Sequence, residues 1–527
     1  MALGFINRGI TIAAGFLAAV PGWATASDPV IGEAVARAHC VRCHDWVEPA
    51  ALPQRSWNVL LRYMGLRMGV DEARLLTGLP TEERKLLEGR RDILNESGLL
   101  PTEAVVTPEE WEQLTVYFMA KAPERSLPQS AKSSPQDLRE LFVESTSPYG
   151  PKAAVTTLVH IDEEHRQVLV GDARLERFTI LDEDLGFVSS IPAKNSVWVR
   201  ALPTSEGIYL LSIADLPGAG VGEKRGGLFY GLRSGEEYVT QGKALGGLYR
   251  PSDAVLADLD VDGQAELVVS SFGIDEGGVT IHRREPTSSR FVETAVVTIL
   301  AEPGVVALGV HDFNADGLMD VAVLISDARE RLSIFLNQGN LVFTERIIVR
   351  SHAAFGYVEL KLRDVNQDGL MDLITVNGDN VDSDPYNTLK PYHGVRVYLA
   401  QSSLKFEEAF FYPLYGAYGV EAEDFDMDGD IDLAAIAFNP DFAANDPEHF
   451  VYLEQTEAMT FTPSRLAATR SGRWLTMDAG DWDGDGDKDL VLGAGYVPAG
   501  LDIDHPEVLR RHVESGPALL LLENQTR

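Results

Sequence analysis

Five stretches decide the fold: DLDVDGQAELVV from Asp258, DFNADGLMDVAV from Asp312, DVNQDGLMDLIT from Asp364, DFDMDGDIDLAA from Asp424 and DWDGDGDKDLVL from Asp481. Their starts lie 54, 52, 60 and 57 residues apart. A period of that size marks a repeat architecture, in which each unit buries its apolar faces against its neighbours. Each unit has the same parts. In the second, an apolar run at 305–308 leads into the acidic loop and another at 321–324 leaves it. A third run, 332–336, stops at Asn337-Gln338-Gly339, and a fourth starts at Phe343. Four short strands per unit describe a propeller blade.

Two earlier stretches read as blades without the acidic loop: HIDEEHRQVLVG from His160, and residues 200–212. Seven blades over residues 138–527 average about 56 residues each, matching the spacing of the loops. The last apolar run, 518–522, corresponds to a third strand, so the final blade lacks its fourth. Residues 138–143 are placed to supply it and close the ring. The expected architecture is an all-β propeller of seven blades.

The acidic loops follow D-x-[DN]-x-D-G-x-x-D. Oxygen ligands are expected from positions 1, 3, 5 and 9. These are Asp258, Asp260, Asp262 and Glu266; Asp312, Asn314, Asp316 and Asp320; Asp364, Asn366, Asp368 and Asp372; Asp424, Asp426, Asp428 and Asp432; and Asp481, Asp483, Asp485 and Asp489. Glycine at position 6 permits the tight turn, and position 7 can offer its carbonyl. Hard oxygens in that number suit Ca²⁺ better than Mg²⁺, which demands stricter octahedral geometry. Up to about five ions are expected. The last acid falls at position 9 instead of 12, which excludes an EF-hand.

These loops and their apolar flanks resemble the FG-GAP/VCBS repeats, calcium-binding propeller repeats also found in integrin α-chains. The resemblance covers nearly all of residues 138–527 and implies a propeller, without implying a substrate.

Ahead of the repeats lies a segment of different character. Both cysteines of the chain fall in Cys40-Val41-Arg42-Cys43-His44. CxxCH is the attachment signal for c-type haem. Two thiols three residues apart reach two vinyl groups of one porphyrin, and the adjacent imidazole becomes the proximal iron ligand. A CxxC redox pair is the competing reading. Ile31, Ala34, Val35 and Ala38 have the spacing of a helix leading into the motif. Trp57, Leu60, Leu61, Met64 and Met68 form a second helical stripe. A thioether is a usual sixth ligand in electron-transfer haems. Met64 is the first candidate, Met68 the second and Met119 the third. A further helix is expected over 81–95. Another starts at a capping box, Thr107 with Glu110, with Pro108 at its first position. CVRCH, WNVLLRYMGLRMG from Trp57 and TPEEWEQLTVYFMAKAPERSL from Thr107 are similar to the small all-α c-type cytochrome domain that precedes such repeats in exported bacterial proteins. In that resemblance the ligand methionine matches Met64.

The expected organisation is a signal peptide over 1–26, a cytochrome domain over 27–121, a polar linker over 122–137 and the propeller over 138–527. Arg8, an apolar run over 10–20 and Ala24-Thr25-Ala26 carry the signal reading. They place the mature chain in the periplasm or outside the cell, with no transmembrane segment left. Acids outnumber bases 80 to 45, a formal charge of −35, which argues against nucleic acid as a partner. One insertion, NGDNVDSDPYNTLKPYHGVRVYL from Asn377, stands out. Asp379, Asn380, Lys390, Tyr392, His393 and Arg396 are candidates to line a ligand mouth there.

The leading functional reading is an exported haem electron-transfer protein whose calcium-stabilised propeller docks a redox partner, protein or small molecule. A periplasmic oxidoreductase that oxidises a small molecule or sugar and passes electrons to the haem is the alternative. An adhesion or carbohydrate-binding protein is the third. No nucleophile elbow, dinucleotide fingerprint or zinc-protease motif is present to favour an enzyme.

Overall fold

A computed structural model describes residues 29–526, apart from 97, 139–140, 148, 193–195, 215–224, 274–275 and 381–383. The signal-peptide reading of residues 1–26 lies outside the described residues.

Seven antiparallel sheets form the propeller. Their first strands are Thr156–Asp162, Trp198–Pro203, Pro251–Ala257, Val305–His311, Tyr357–Arg363, Ala417–Glu423 and Trp474–Gly480. These seven strands meet their neighbours around a closed ring. Blade 4 is typical, with Val305–His311, Asp320–Ile325, Arg331–Asn337 and Phe343–Arg350 in order. Second strands such as Asp320–Ile325 are buried along their whole length, because each is covered by sheets on both faces. Blade 7 takes its outer strand from the other end of the repeat region. Phe142–Thr146 pairs antiparallel with Leu519–Asn524, Phe142 opposite Asn524. The ring is thereby closed by hydrogen bonds between chain-distant segments.

Side chains tie blade to blade. Asp253 Oδ2 accepts the Leu308 N–H at 2.9 Å, Glu359 Oε2 the Val420 N–H at 2.7 Å, and Asp478 Oδ2 the Ile161 N–H at 2.8 Å. At the far end of the strands, Asn337 Nδ2 donates to Leu259 O of the preceding blade, and Asn524 Nδ2 to Phe425 O.

The head is all-α: α1 (Pro29–Cys40), α2 (Gln54–Arg67), α3 (Glu72–Leu76), α4 (Thr81–Glu96) and α5 (Pro108–Lys121). Helix α5 starts at the capping box formed by Thr107 and Glu110. Helices α1 and α5 cross closely at Gly32, where a Cβ would stand 2.7 Å from Gln113 O. Trp57, Trp111, Leu114 and Phe118 fill the core, with the Trp57 and Phe118 rings 4.4 Å apart. No helix among the described residues is long and apolar enough to cross a membrane.

The acidic loops join first strands to second strands, so they share one face of the ring. Connections from second to third strands lie on the opposite face, and the head sits there. Asp45 N–H donates to Ala328 O at 2.8 Å, Ser56 and Thr388 hydroxyls pair at 2.9 Å, and Arg55 forms a two-bonded ion pair with Asp504. Residues 122–137 do not hang free between the two bodies. Gln129 Nε2 donates to His393 O, Lys132 pairs with Glu448, and Gln136–Asp137 adds a parallel strand to blade 6.

Blade 7 carries two helices in its second-to-third connection, α6 (Leu501–Asp504) and α7 (Pro506–Ser515). His512 of α7 is 2% exposed, and neither ring nitrogen has a hydrogen-bond partner. Burial, with the Arg511 and Arg473 charges, pulls its pKa down to about 4. Burial and the nearby His512 pull His449 down to about 3. The unfolded chain therefore binds protons that the folded one refuses, and stability is lost as pH falls below about 6.5. For His512 alone the loss is about 2 kcal/mol at about pH 5. His512→Leu is expected to flatten the fall of melting temperature between about pH 6.5 and about pH 5. An acid profile parallel to that of the unsubstituted protein would refute this.

Candidate functional site

Three of the five acidic loops share a hydrogen-bonded skeleton. Asp312 accepts the N–H groups of Asp316 at 3.1 Å and Gly317 at 2.8 Å. Asp364 does the same for Asp368 and Gly369, and Asp258 for Asp262 and Gly263. The position-6 glycines need the left-handed region, φ +89° at Gly317 and +101° at Gly429, which a side chain there would oppose. The side chains at positions 1, 3 and 5 are thereby drawn to one point. Asp258, Asp260 and Asp262 hold carboxylate oxygens within 4.8 Å of one another, as do Asp424, Asp426 and Asp428. In the last loop Asp481, Asp483 and Asp489 meet in the same way. Asn314 and Asn366 occupy position 3 of the second and third loops, and each bonds the position-5 aspartate, Asp316 or Asp368.

Position 9 also holds the fold together. Asp320, Asp372, Asp432 and Asp489 are fully buried, and Glu266 is 2% exposed. Asp320 accepts N–H from Phe313 at 3.0 Å and from Asn337 at 2.7 Å. Asp372 bonds Val365 and Ala400 likewise, and Asp489 bonds Trp482 and Asn524. This acid clamps the loop to the end of the third strand, where the asparagine reaches the preceding blade. Loop geometry and ring integrity are therefore mechanically linked.

Two acids at position 7 add to this set. The Asp487 carboxylate is 2% exposed with neither oxygen hydrogen-bonded, and Asp430 Oδ1 is also buried and unpartnered. Burial, then the Asp485 and Asp489 charges, pushes Asp487 up to about 7; burial, then Asp428, pushes Asp430 up to about 6. A buried carboxylate without a donor needs a proton or a cation. The donor chemistry of these loops, all oxygen, fits a hard divalent ion. The first loop is partly neutralised internally, because Arg283 pairs with Asp260.

The CxxCH motif ends α1. Cys40 and Cys43 are both free thiols, Cys43 exposed and Cys40 half-buried against the head core. Burial pushes the Cys40 thiol up to about 11, the opposite of an activated redox cysteine. His44 Nδ1 lies 2.8 Å from Asp45 O, and a carbonyl only accepts, so Nδ1 donates that bond and Nε2 is the nitrogen left for a metal. That donor set, two thiols and an oriented imidazole, fits a covalently held haem. Met64, Met68 and Met119 all pack half-buried on the same core.

The insertion of blade 5 differs from expectation. Of Asp379, Asn380, Lys390, Tyr392, His393 and Arg396, the last two and Lys390 are buried, and Asp379 and Lys390 line a cavity of only about 20 Å³. Lys390 is fully buried and donates to Asp379 O at 2.7 Å; His393 is 1% exposed. Arg396 bonds Asn377 and Tyr392 O and lies 3.9 Å from the Phe411 ring centre. The insertion leaves blade 5 on the head side, so it becomes a socket: Tyr386 bonds Glu83 of α4, and Thr388 meets Ser56 of α2.

Residues 312–375 match the FG-GAP-like repeat. That FG-GAP-like stretch begins at Asp312, the first acid of the second loop, contains the third loop whole and ends inside blade 5. Its boundaries thus span one full repeat of the ring. No curated protein matches the chain. Among solved structures, a chain of the BBS1N complex with ARL6DN aligns at 12% identity with a TM-score of 0.40, covering 74% of this chain and 98% of that one.

Proposed function

We propose that this is an exported c-type haem electron-transfer protein whose FG-GAP-type propeller binds calcium and presents a docking surface to a redox partner. The observation that carries the reading is the constellation at the end of α1. Two unpaired thiols, Cys40 and Cys43, stand beside His44, whose Nδ1 is held by Asp45 O. When bound, the haem supplies one-electron transfer. Cys40 and Cys43 would hold it covalently, His44 Nε2 would ligate it, and Met64 is the preferred sixth ligand. The motif adjoins the propeller, since Asp45 N–H donates to Ala328 O of blade 4. With 80 acids against 45 bases, long-range attraction favours a cationic partner surface.

A reduced-minus-oxidised spectrum of the exported protein tests the reading, with sharp haem c bands expected. Met64→Ala is expected to abolish the methionine–iron charge-transfer band, and Met68→Ala to keep it. The reverse pattern would reassign the ligand, and no haem bands at all would refute the haem reading.

A further inference from the structure

Between blades 1 and 2 lies a cavity of about 580 Å³. Small-molecule sites typically enclose roughly 300–1,000 Å³. Its walls are the end of Phe187–Pro192 in blade 1 and the four strands of blade 2. Blade 2 opens there because its outer strands are rich in glycine. A Cβ added at Gly242 or Gly247 would meet nothing within 4 Å, so both positions face open space. The outer strand Glu237–Tyr249 also shifts register three times against Arg225–Ser234. Such bulges re-aim side chains and break the regular packing.

The cavity has an aromatic interior and a cationic rim. Trp198 and Tyr238 are 4% and 8% exposed, and Phe229 packs edge-on against Trp198 at 5.2 Å. Tyr238 is held rigidly, bonding Asp162 at 3.1 Å and Arg233 at 3.0 Å. The buried Trp198 indole N–H has no partner. At the rim stand Arg225, which donates to Gly247 O at 2.9 Å, and Lys243, whose ammonium lies 5.5 Å from the Phe229 ring centre. Among the described residues no Asp or Glu lines the cavity, although acids outnumber bases 80 to 45 in the chain. The charged side chains described at the cavity are both cationic.

We propose that this cleft binds a small aromatic anion, its ring against Trp198 and Tyr238 and its acidic group at Lys243 and Arg225. The site is remote in sequence from the head motif and uses none of the acidic-loop ligands. It stands or falls independently of the haem and calcium readings.

Isothermal titration of the full calcium-loaded protein with 8-anilinonaphthalene-1-sulfonate tests it, with uncharged N-phenyl-1-naphthylamine as the comparison. One saturable site per chain is expected for the sulfonate. Lys243→Glu is expected to weaken the sulfonate about tenfold while changing the neutral dye less than about twofold. Thr240→Trp, an exposed strand position at the cavity, is expected to abolish binding of both dyes with an unchanged melting curve. Absence of saturable binding, equal loss of both dyes in Lys243→Glu, or full binding in Thr240→Trp would overturn the proposal.

Discussion

Removal of calcium by a chelator is expected to lower the melting temperature of the propeller by roughly 10 °C while leaving the absorption of the head unchanged. The size follows from linkage. An ion that binds only the folded state stabilises it by about 2.7 kcal/mol per site at a hundredfold excess over its Kd. For a body of this length that is roughly 3 °C per site, and three loops bring three carboxylates together. The effect spreads beyond the loops because Asp320, Asp372 and Asp489 clamp them to the third strands, and Asn337 and Asn524 carry the link to the preceding blade. The head lies on the other face and has no such loop. Asp481→Ala with Asp485→Ala is expected to remove one ion by elemental analysis. Asp487→Asn gives a sharper signature. Its unpartnered buried carboxylate costs stability when no cation is present. The substitution is therefore expected to raise the melting temperature in chelator and lower it in calcium. A chelator-insensitive melting curve together with no bound calcium would remove the metal assignment.

Replacing both Cys40 and Cys43 by alanine is expected to yield protein without haem and with a head that melts well before the propeller. The head is a small all-α body whose core rests on Trp57, Trp111, Leu114 and Phe118. Loss of a single buried aromatic costs on the order of 3–5 kcal/mol, and a porphyrin is larger than any of them. Most small domains have only about 5–15 kcal/mol in total. The propeller should keep its calcium-dependent transition, since its own cores do not include the head residues. Differential scanning calorimetry reads both transitions. A single unchanged transition in the double variant would show that these thiols hold nothing that the head needs.

The repeat was legible because the chemistry of a turn is local. A D-x-[DN]-x-D-G loop between apolar runs specifies its own geometry, and its spacing specifies the blade. That blade 7 needs a strand from the start of the repeat region was legible from arithmetic, but the expected 138–143 was displaced, and Phe142–Thr146 fills the place. Contacts between distant segments left no such trace. Lys390 and His393 look like mouth residues in the sequence; they are buried, and the neighbouring Tyr386 and Thr388 meet α4 and α2, some 300 residues earlier. The polar stretch 122–137 reads as a free linker, yet Gln129 and Lys132 find partners on blades 5 and 6. Asp430 and Asp487 were visible as extra acids at position 7, but their burial required the fold. The cleft of blade 2 had only the density of glycine in 226–247 to announce it.

The most direct test of the account is the intact mass and absorption of the exported protein after acid–acetone extraction. A chain that keeps one haem through extraction, lost only when Cys40 and Cys43 are both replaced, is the predicted result. A chain that releases its haem to the solvent, or carries Cys40 and Cys43 as a disulfide with no haem, would contradict it.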